Sequence, residues 1–388
     1  MEMSLKRALF CFLCLSHALT AEAGIITCIE KLFFPQRFKA LPYKVENIPE
    51  AVIQKLDRKL HFLTNSSDSD ISQKTFISQS GSYIIPLDKF LSENRTSKGN
   101  PRFIIEELLG AGGQGAVFHA FDHQEQREVA IKISEKHENG PAAINLSTNL
   151  ENKLRDNNPL LTIFDYKVKD GWAITTSEWV PNKNYAHYSK SKAPYLTPVG
   201  ALFFPFTPQT IIEHFTIMRN LARALREIHR NNFIYTDLKA ENIAVFGDLQ
   251  VKLLDLDSLS PLDEKGGVSI KTMPLITSGH ESPEMQALWE YRNHTNSIKQ
   301  NLAKKVGVKS DSYSFSIVLQ EMINYFKKNN FKDDPLVEIA MEKLLNEVVY
   351  PLREVAPQHR MSMEEAEKKL NELIASIKKY QKNTPSNP

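Results

Sequence analysis

The chain has little of three things: cysteine, net charge and long apolar runs. Its 388 residues include only three cysteines, and 48 Lys plus Arg stand against 46 Asp plus Glu for a net charge of +2. So balanced a charge gives no whole-chain field to favour nucleic acid or an anionic membrane, and recognition of any charged partner has to be local. The histidines are dispersed and no Cys/His cluster has zinc spacing, so a structural metal is not expected. No G-x-S-x-G or H-E-x-x-H string points to a hydrolase. The lack of an internal repeat argues against a solenoid or propeller. What remains is a chain of ordinary hydrophobic content, 41%, long enough for two or more core-forming units.

The amino terminus differs from the rest. Lys6 and Arg7 lead into an apolar run from Ala8 to Leu15, which continues more weakly to Thr20 and ends in Ala21-Glu22-Ala23-Gly24. That is the order of a secretory signal peptide, and residues 1–24 are expected to be one. The run falls short of the roughly 20 residues a spanning helix needs, so no integral membrane association is expected once it is removed. Cys11 and Cys14 would leave with it, and Cys28 alone cannot close an internal disulfide.

Residues 25–100 form an extension of unassigned role. Within it Val52, Leu56, Leu60 and Leu63 recur at helical spacing before the polar break TNSSDSDISQ. From Phe103 the pattern turns strand-like: FIIEELL, AVFHAF and EVAIKI are short runs separated by Gly-rich or charged turns. A helix is expected from Pro141, with Leu146, Leu150 and Leu154 on one face, stopped by Asn157-Asn158-Pro159. LTIFDYKV and WAITTSEWV then give two more strands around Lys169-Asp170-Gly171. Residues 101–180 thus read as a five-stranded antiparallel sheet with one helix. After an irregular, Pro-punctuated stretch, Ile211, Phe215, Met218, Ala222 and Leu225 mark a long amphipathic helix, and residues 181–378 read as mainly helical. The fold class is α+β in two lobes.

Four strings carry chemistry. Gly110, Gly112 and Gly115 put backbone freedom between two expected strands, where N–H groups could approach a multiply charged anion. Lys132 sits in the burial-prone run Val129 to Ile133, where an ammonium needs a partner. Glu151, 19 residues on, is the only acidic residue from Ala142 to Arg155. In FIYTDLKAENI, Asp237 is followed two residues later by Lys239, whose ammonium offsets the repulsion a lone carboxylate would offer a phosphate. Asp255 follows the short strand Val251 to Leu254.

In this order the strings resemble the eukaryotic-type Ser/Thr protein kinase family. The resemblance implies a two-lobed fold, with ATP and Mg2+ as cofactors. It implies that Gly110, Gly112 and Gly115 cover the phosphates, and that Val117, Ala130, Glu178 and Val180 complete the nucleotide site with Lys132. Glu151 would pair with Lys132, and Asn242 and Asp255 would hold metal. Asp237 would orient the substrate hydroxyl and accept its proton, with Lys239 beside the transferring group. Glu284 would pair with Arg360, and Asp311 would begin a buried central helix, both in structural roles. The long interval between Glu284 and Asp311 implies an insertion around residues 286–306.

Two departures stand out. Tyr235-Thr236 replaces the family's His-Arg, which removes the usual receptor for a phosphorylated activation segment. Activation is therefore not expected to depend on a phosphate there. Asp257 stands where the family has glycine after Asp-Phe. The expected activity is Mg-ATP-dependent transfer to Ser/Thr hydroxyls of protein substrates, host proteins among them. The alternatives are an ATP-binding scaffold without turnover, or a small-molecule or lipid kinase. Nucleic acid is not an expected partner; the basic-aromatic stretch from Asn184 to Tyr195 reads as a solvated loop near the substrate groove. A disulfide-free chain that needs ATP fits export into another cell's cytosol, with an ATP-supplied secretory lumen as the alternative.

Overall fold

The computed structural model describes residues 45–65, 79–112, 115–136, 139–180, 208–246, 248–268, 277–294, 297–328 and 335–383. The expected signal peptide, most of the polar break after residue 65, the Pro-punctuated stretch 181–207 and Gly113 lie outside the described residues.

Two helices, α1 (Glu50–Asn65) and α2 (Gln79–Glu93), precede five antiparallel strands. These are β1 (Phe103–Gly112), β2 (Gly115–Asp122), β3 (Arg127–Glu135), β4 (Ile163–Lys169) and β5 (Trp172–Glu178), in the spatial order β1-β2-β3-β5-β4. Side chains alternate across the sheet, so its two faces have different work. On one face Ala116, Phe118 and Ala120 lie opposite Ile133, Ile131 and Val129, all buried. Val52, Leu56 and Leu60 of α1 and Ile84, Leu87 and Leu91 of α2 pack onto that apolar face and form one core with it. The other face carries Val117, His119 and Lys132.

The sequence pattern marks α1 but not α2, which holds Pro86 in its interior. An interior proline removes a helix hydrogen bond and costs about 3 kcal/mol. Ile84, Leu87 and Leu91, all with no exposed surface, offset that cost by burial. Asp88, also buried, accepts hydrogen bonds from the N–H groups of Glu46 and Asn47, which fixes the approach to α1.

Between β3 and β4 runs α3 (Gly140–Leu154), with Pro141 in its first turn. Leu146 and Leu150 turn inward against the core of the helical lobe. The helix ends at Arg155, whose φ of 48° leaves the helical region. The second lobe begins with α4 (Pro208–Arg230), followed by the short strands β6 (Phe233–Tyr235), β7 (Ile243–Val245), β8 (Val251–Leu253) and β9 (Leu259–Pro261). Then come α5 (Pro283–His294), α6 (Ser297–Ala303), α7 (Val308–Lys328), α8 (Pro335–Leu344), which continues through a π turn to Leu352, and α9 (Met363–Asn383). The stretch where an insertion is expected holds the end of α5 together with α6. Its Leu288, Ala303 and Val306 bury against Ile234 and Val268. The architecture is the α+β two-lobed one that the sequence implies. No helix among the described residues is long and apolar enough to cross a membrane.

If the paired helices complete the core of the sheet, Leu87→Ala should lower stability by roughly 2–5 kcal/mol. Denaturant unfolding measures it.

Candidate active site

Two hairpins bring the chemical residues together. β6 pairs with β9, and β7 pairs with β8. The loop from Thr236 to Asn242 and the loop from Leu254 to Ser258 therefore lie side by side, joined by the Leu254 N–H to the Asn242 carbonyl at 3.0 Å. The residues that replace His-Arg help bind the loops to each other. The Tyr235 hydroxyl accepts the Asp255 N–H at 3.2 Å, and the N–H and hydroxyl of Thr236 both donate to the Ser258 carbonyl, at 2.9 and 3.0 Å. Below them Asp311 of α7 accepts the Tyr235 N–H at 2.8 Å and lies 2.8 Å from His229 Nε2. Burial pushes the Asp311 carboxyl up, against the pull of His229.

Asp237 is buried, and its two oxygens differ. Oδ2 accepts from Lys239 Nζ at 2.7 Å and from Asn242 Nδ2 at 3.2 Å. Among the described residues Oδ1 is buried without a hydrogen-bond partner. An orphaned carboxylate oxygen is costly in a fold and marks a place where an incoming donor would bind. Lys239 also donates to Thr277 Oγ1 at 2.6 Å, so it bridges the loop and the end of the following segment. The sequence showed no role for Thr277, which meets Lys239 from 38 positions away.

Lys132 Nζ lies 2.6 Å from Asp255 Oδ1 and 2.6 Å from Asp257 Oδ2. Burial alone would lower the lysine pKa, but the two carboxylates outweigh it and raise it above the ordinary range. Burial likewise opposes ionisation of Asp255, and the Lys132 ammonium overcomes it, holding the carboxyl below its usual value. The expected Lys132–Glu151 pair is not formed. Glu151 Oε2 instead accepts from Asn158 Nδ2 at 2.7 Å and Thr162 Oγ1 at 2.9 Å. The physical reason is supply on both sides: Asp257 brings the lysine a second carboxylate, and Glu151, in the last turn of α3, is satisfied locally.

The glycine turn connects β1 to β2, with Gly110 opposite Val117 and Gly112 opposite Gly115. A Cβ on Gly110 would meet nothing within 4 Å, whereas one on Gly115 would stand 2.4 Å from the Ile133 carbonyl oxygen of β3. Gly115 is thus required by the closeness of the strands. Val117 lies opposite Lys132, and Ala130 opposite His119, so both share the face that carries the lysine. At the end of β5 the Glu178 side chain is tied to Lys252 Nζ and to the Thr162 N–H. The Glu178 N–H also donates to the Thr162 carbonyl at 2.9 Å, so any nucleotide contact by its main chain would fall to the carbonyl.

These groups fit Mg-ATP. Asp255 is an ionised carboxylate in a buried setting beside an ammonium, and Asn242 spends its amide nitrogen on Asp237, at the main-chain carbonyl (2.9 Å) and Oδ2, leaving its amide oxygen as a hard-metal donor. The Protein kinase domain family profile matches residues 103–386. The chain belongs to the protein kinase family. Curated relatives include leaf rust 10 disease-resistance locus receptor-like protein kinase-like 1.3 of Arabidopsis thaliana, 24% identical over 87% of this chain and 46% of that protein. A probable serine/threonine-protein kinase of Clostridium acetobutylicum is 26% identical over 64% of this chain and 34% of its own length. The serine/threonine-protein kinase PknB of Mycobacterium tuberculosis is 24% identical over 64% of this chain and 36% of its own length. The chain spans less than half the length of each.

Further from the cleft, Arg360 grips Glu284 with both guanidinium Nη atoms, at 2.6 and 2.9 Å, and Ser310 Oγ adds a third bond at 2.8 Å. Both side chains have no exposed surface, and burial is outweighed by the guanidinium, which holds the Glu284 carboxyl below its usual range. This kinase pair anchors the start of α5. For the turn, Gly115→Ala should destabilise the kinase by roughly 1–3 kcal/mol through overpacking, while Gly110→Ala stays within about 0.5 kcal/mol. Thermal unfolding of the two variants distinguishes them.

Proposed function

We propose that the protein is a Mg-ATP-dependent kinase that transfers phosphate to Ser or Thr hydroxyls of protein substrates. The observation that carries this reading is the buried, unpartnered Oδ1 of Asp237 beside a lysine that bridges Asp237 and Thr277. Oδ1 is free to accept the hydrogen bond of a substrate hydroxyl and then its proton. Lys239 holds the other oxygen, which fixes the carboxylate's orientation and brings positive charge to the place where a phosphoryl group would pass. Lys132 and the ionised Asp255 supply opposite charges for the phosphates and for a divalent ion, respectively. When bound, Mg-ATP would provide the transferable phosphoryl group and the electrophilic activation of it. The bond from Lys239 to Thr277, just before Ser282-Pro283-Glu284, supports a ledge for a peptide beside the loop and so a protein substrate over a lipid or metabolite.

Transfer from labelled ATP to a generic protein and to the chain itself is the test. Asp237→Ala should lower the rate by about 10²-fold or more, and Asp255→Ala should abolish metal-dependent transfer. ATP binding by the wild type without transfer would contradict the proposal in favour of a scaffold. Transfer confined to a lipid or metabolite would contradict the protein-substrate part.

A further inference from the structure

We propose that Asp257 is the positioning residue that holds Lys132 in place of Glu151. The proposal rests on the kinase reading of this site and adds a residue to it. Asp257 Oδ2 is 2.6 Å from Lys132 Nζ, and the two side chains are only 16% and 23% exposed. The contact is built into the backbone. Leu256–Ser258 forms one 3-10 turn capped by the Asp255 side chain, whose Oδ1 accepts the Asp257 N–H at 3.3 Å. The turn's last carbonyl, that of Ser258, takes both donors of Thr236. Asp257 is therefore fixed from both sides, and it is absent from the residues with positive φ, so nothing in this conformation calls for a glycine.

A division of labour follows from the charges. Asp255 is both the metal-binding candidate and a partner of Lys132. A divalent ion on its carboxylate would compete for the charge that holds the lysine. Asp257 offers a second carboxylate, with no metal-binding role assigned, at the same ammonium. Glu151 does not serve in this arrangement: its Oε2 accepts from Asn158 and Thr162 instead of pairing with Lys132. Thr236 and Asp257, two departures from the family pattern, thus act together: one pins the turn, and the other uses it to hold the lysine.

The test reads the lysine directly in the nucleotide-free full chain. Trace acetylation with acetic anhydride at fixed pH, resolved by mass spectrometry, gives the relative reactivity of Lys132. Asp257→Asn should raise it several-fold, since removal of a carboxylate neighbour lowers a lysine pKa and each unit is about tenfold in free amine. Asp257→Glu should return it toward wild type, and Glu151→Gln should leave it within about twofold. In the active enzyme Asp257→Asn should raise the KM for ATP roughly tenfold or more, with a smaller change in kcat. The proposal is overturned if Glu151→Gln exposes Lys132 and Asp257→Asn does not, or if Asp257→Asn leaves both labelling and KM unchanged. Should Asp257→Asn fail to fold, the Glu151→Gln arm alone still overturns the proposal if it exposes the lysine. A wild type that transfers no phosphate contradicts the kinase reading separately, and the labelling order still decides what holds Lys132.

Discussion

A single ammonium between two carboxylates sets the state of the cleft. Lys132 projects from the sheet, while Asp255 and Asp257 belong to a loop of the helical lobe, so their contact ties one lobe to the other through charge. A buried ion pair contributes little net stability, because desolvation offsets much of the Coulomb gain, but losing one partner leaves a stranded charge. The arrangement therefore favours geometry over stability. It holds Lys132 above and Asp255 below their ordinary ranges in a setting where burial alone would push each the other way.

The rest of the structure supports that contact from two directions. Behind the sheet, α1 and α2 cover an apolar face, so β3 and its lysine rest on a filled core. Beneath the loops, Asp311 holds the Tyr235 N–H, Tyr235 meets the backbone of Asp255, and Thr236 meets that of Ser258. The loop that carries Asp237 and the loop that carries Asp255 are consequently one hydrogen-bonded unit. Glu284 and Arg360, farther out, anchor the helix that follows the segment bearing Thr277.

Much of this was legible in the sequence where chemistry lies at short spacing. Asp237, Lys239 and Asn242 fall within six residues, and the structure joins all three by hydrogen bonds. The strand pattern was legible because alternation and turn residues are local signals. What failed to show were the distant contacts that depart from the family pattern, whereas Glu284–Arg360, which follows it, was expected. Lys132 and Asp257 are 125 positions apart, and no local rule predicts that an aspartate in a glycine's place will capture the lysine. Glu151 stood at the right interval, but Asn158 and Thr162, which claim it, read as a helix stop and the start of a strand. Helix α2 was hidden by Pro86, whose local penalty is outweighed by burial that only the folded sheet supplies.

The central claim is that Lys132 is coupled to Asp257 and uncoupled from Glu151. Double-mutant cycles on folding stability measure this directly, pairing Lys132→Met with Asp257→Asn and, separately, with Glu151→Gln. The expected coupling is about 1 kcal/mol or more for Lys132 with Asp257, and zero within about 0.5 kcal/mol for Lys132 with Glu151. A coupling of that size to Glu151, with none to Asp257, would contradict the account.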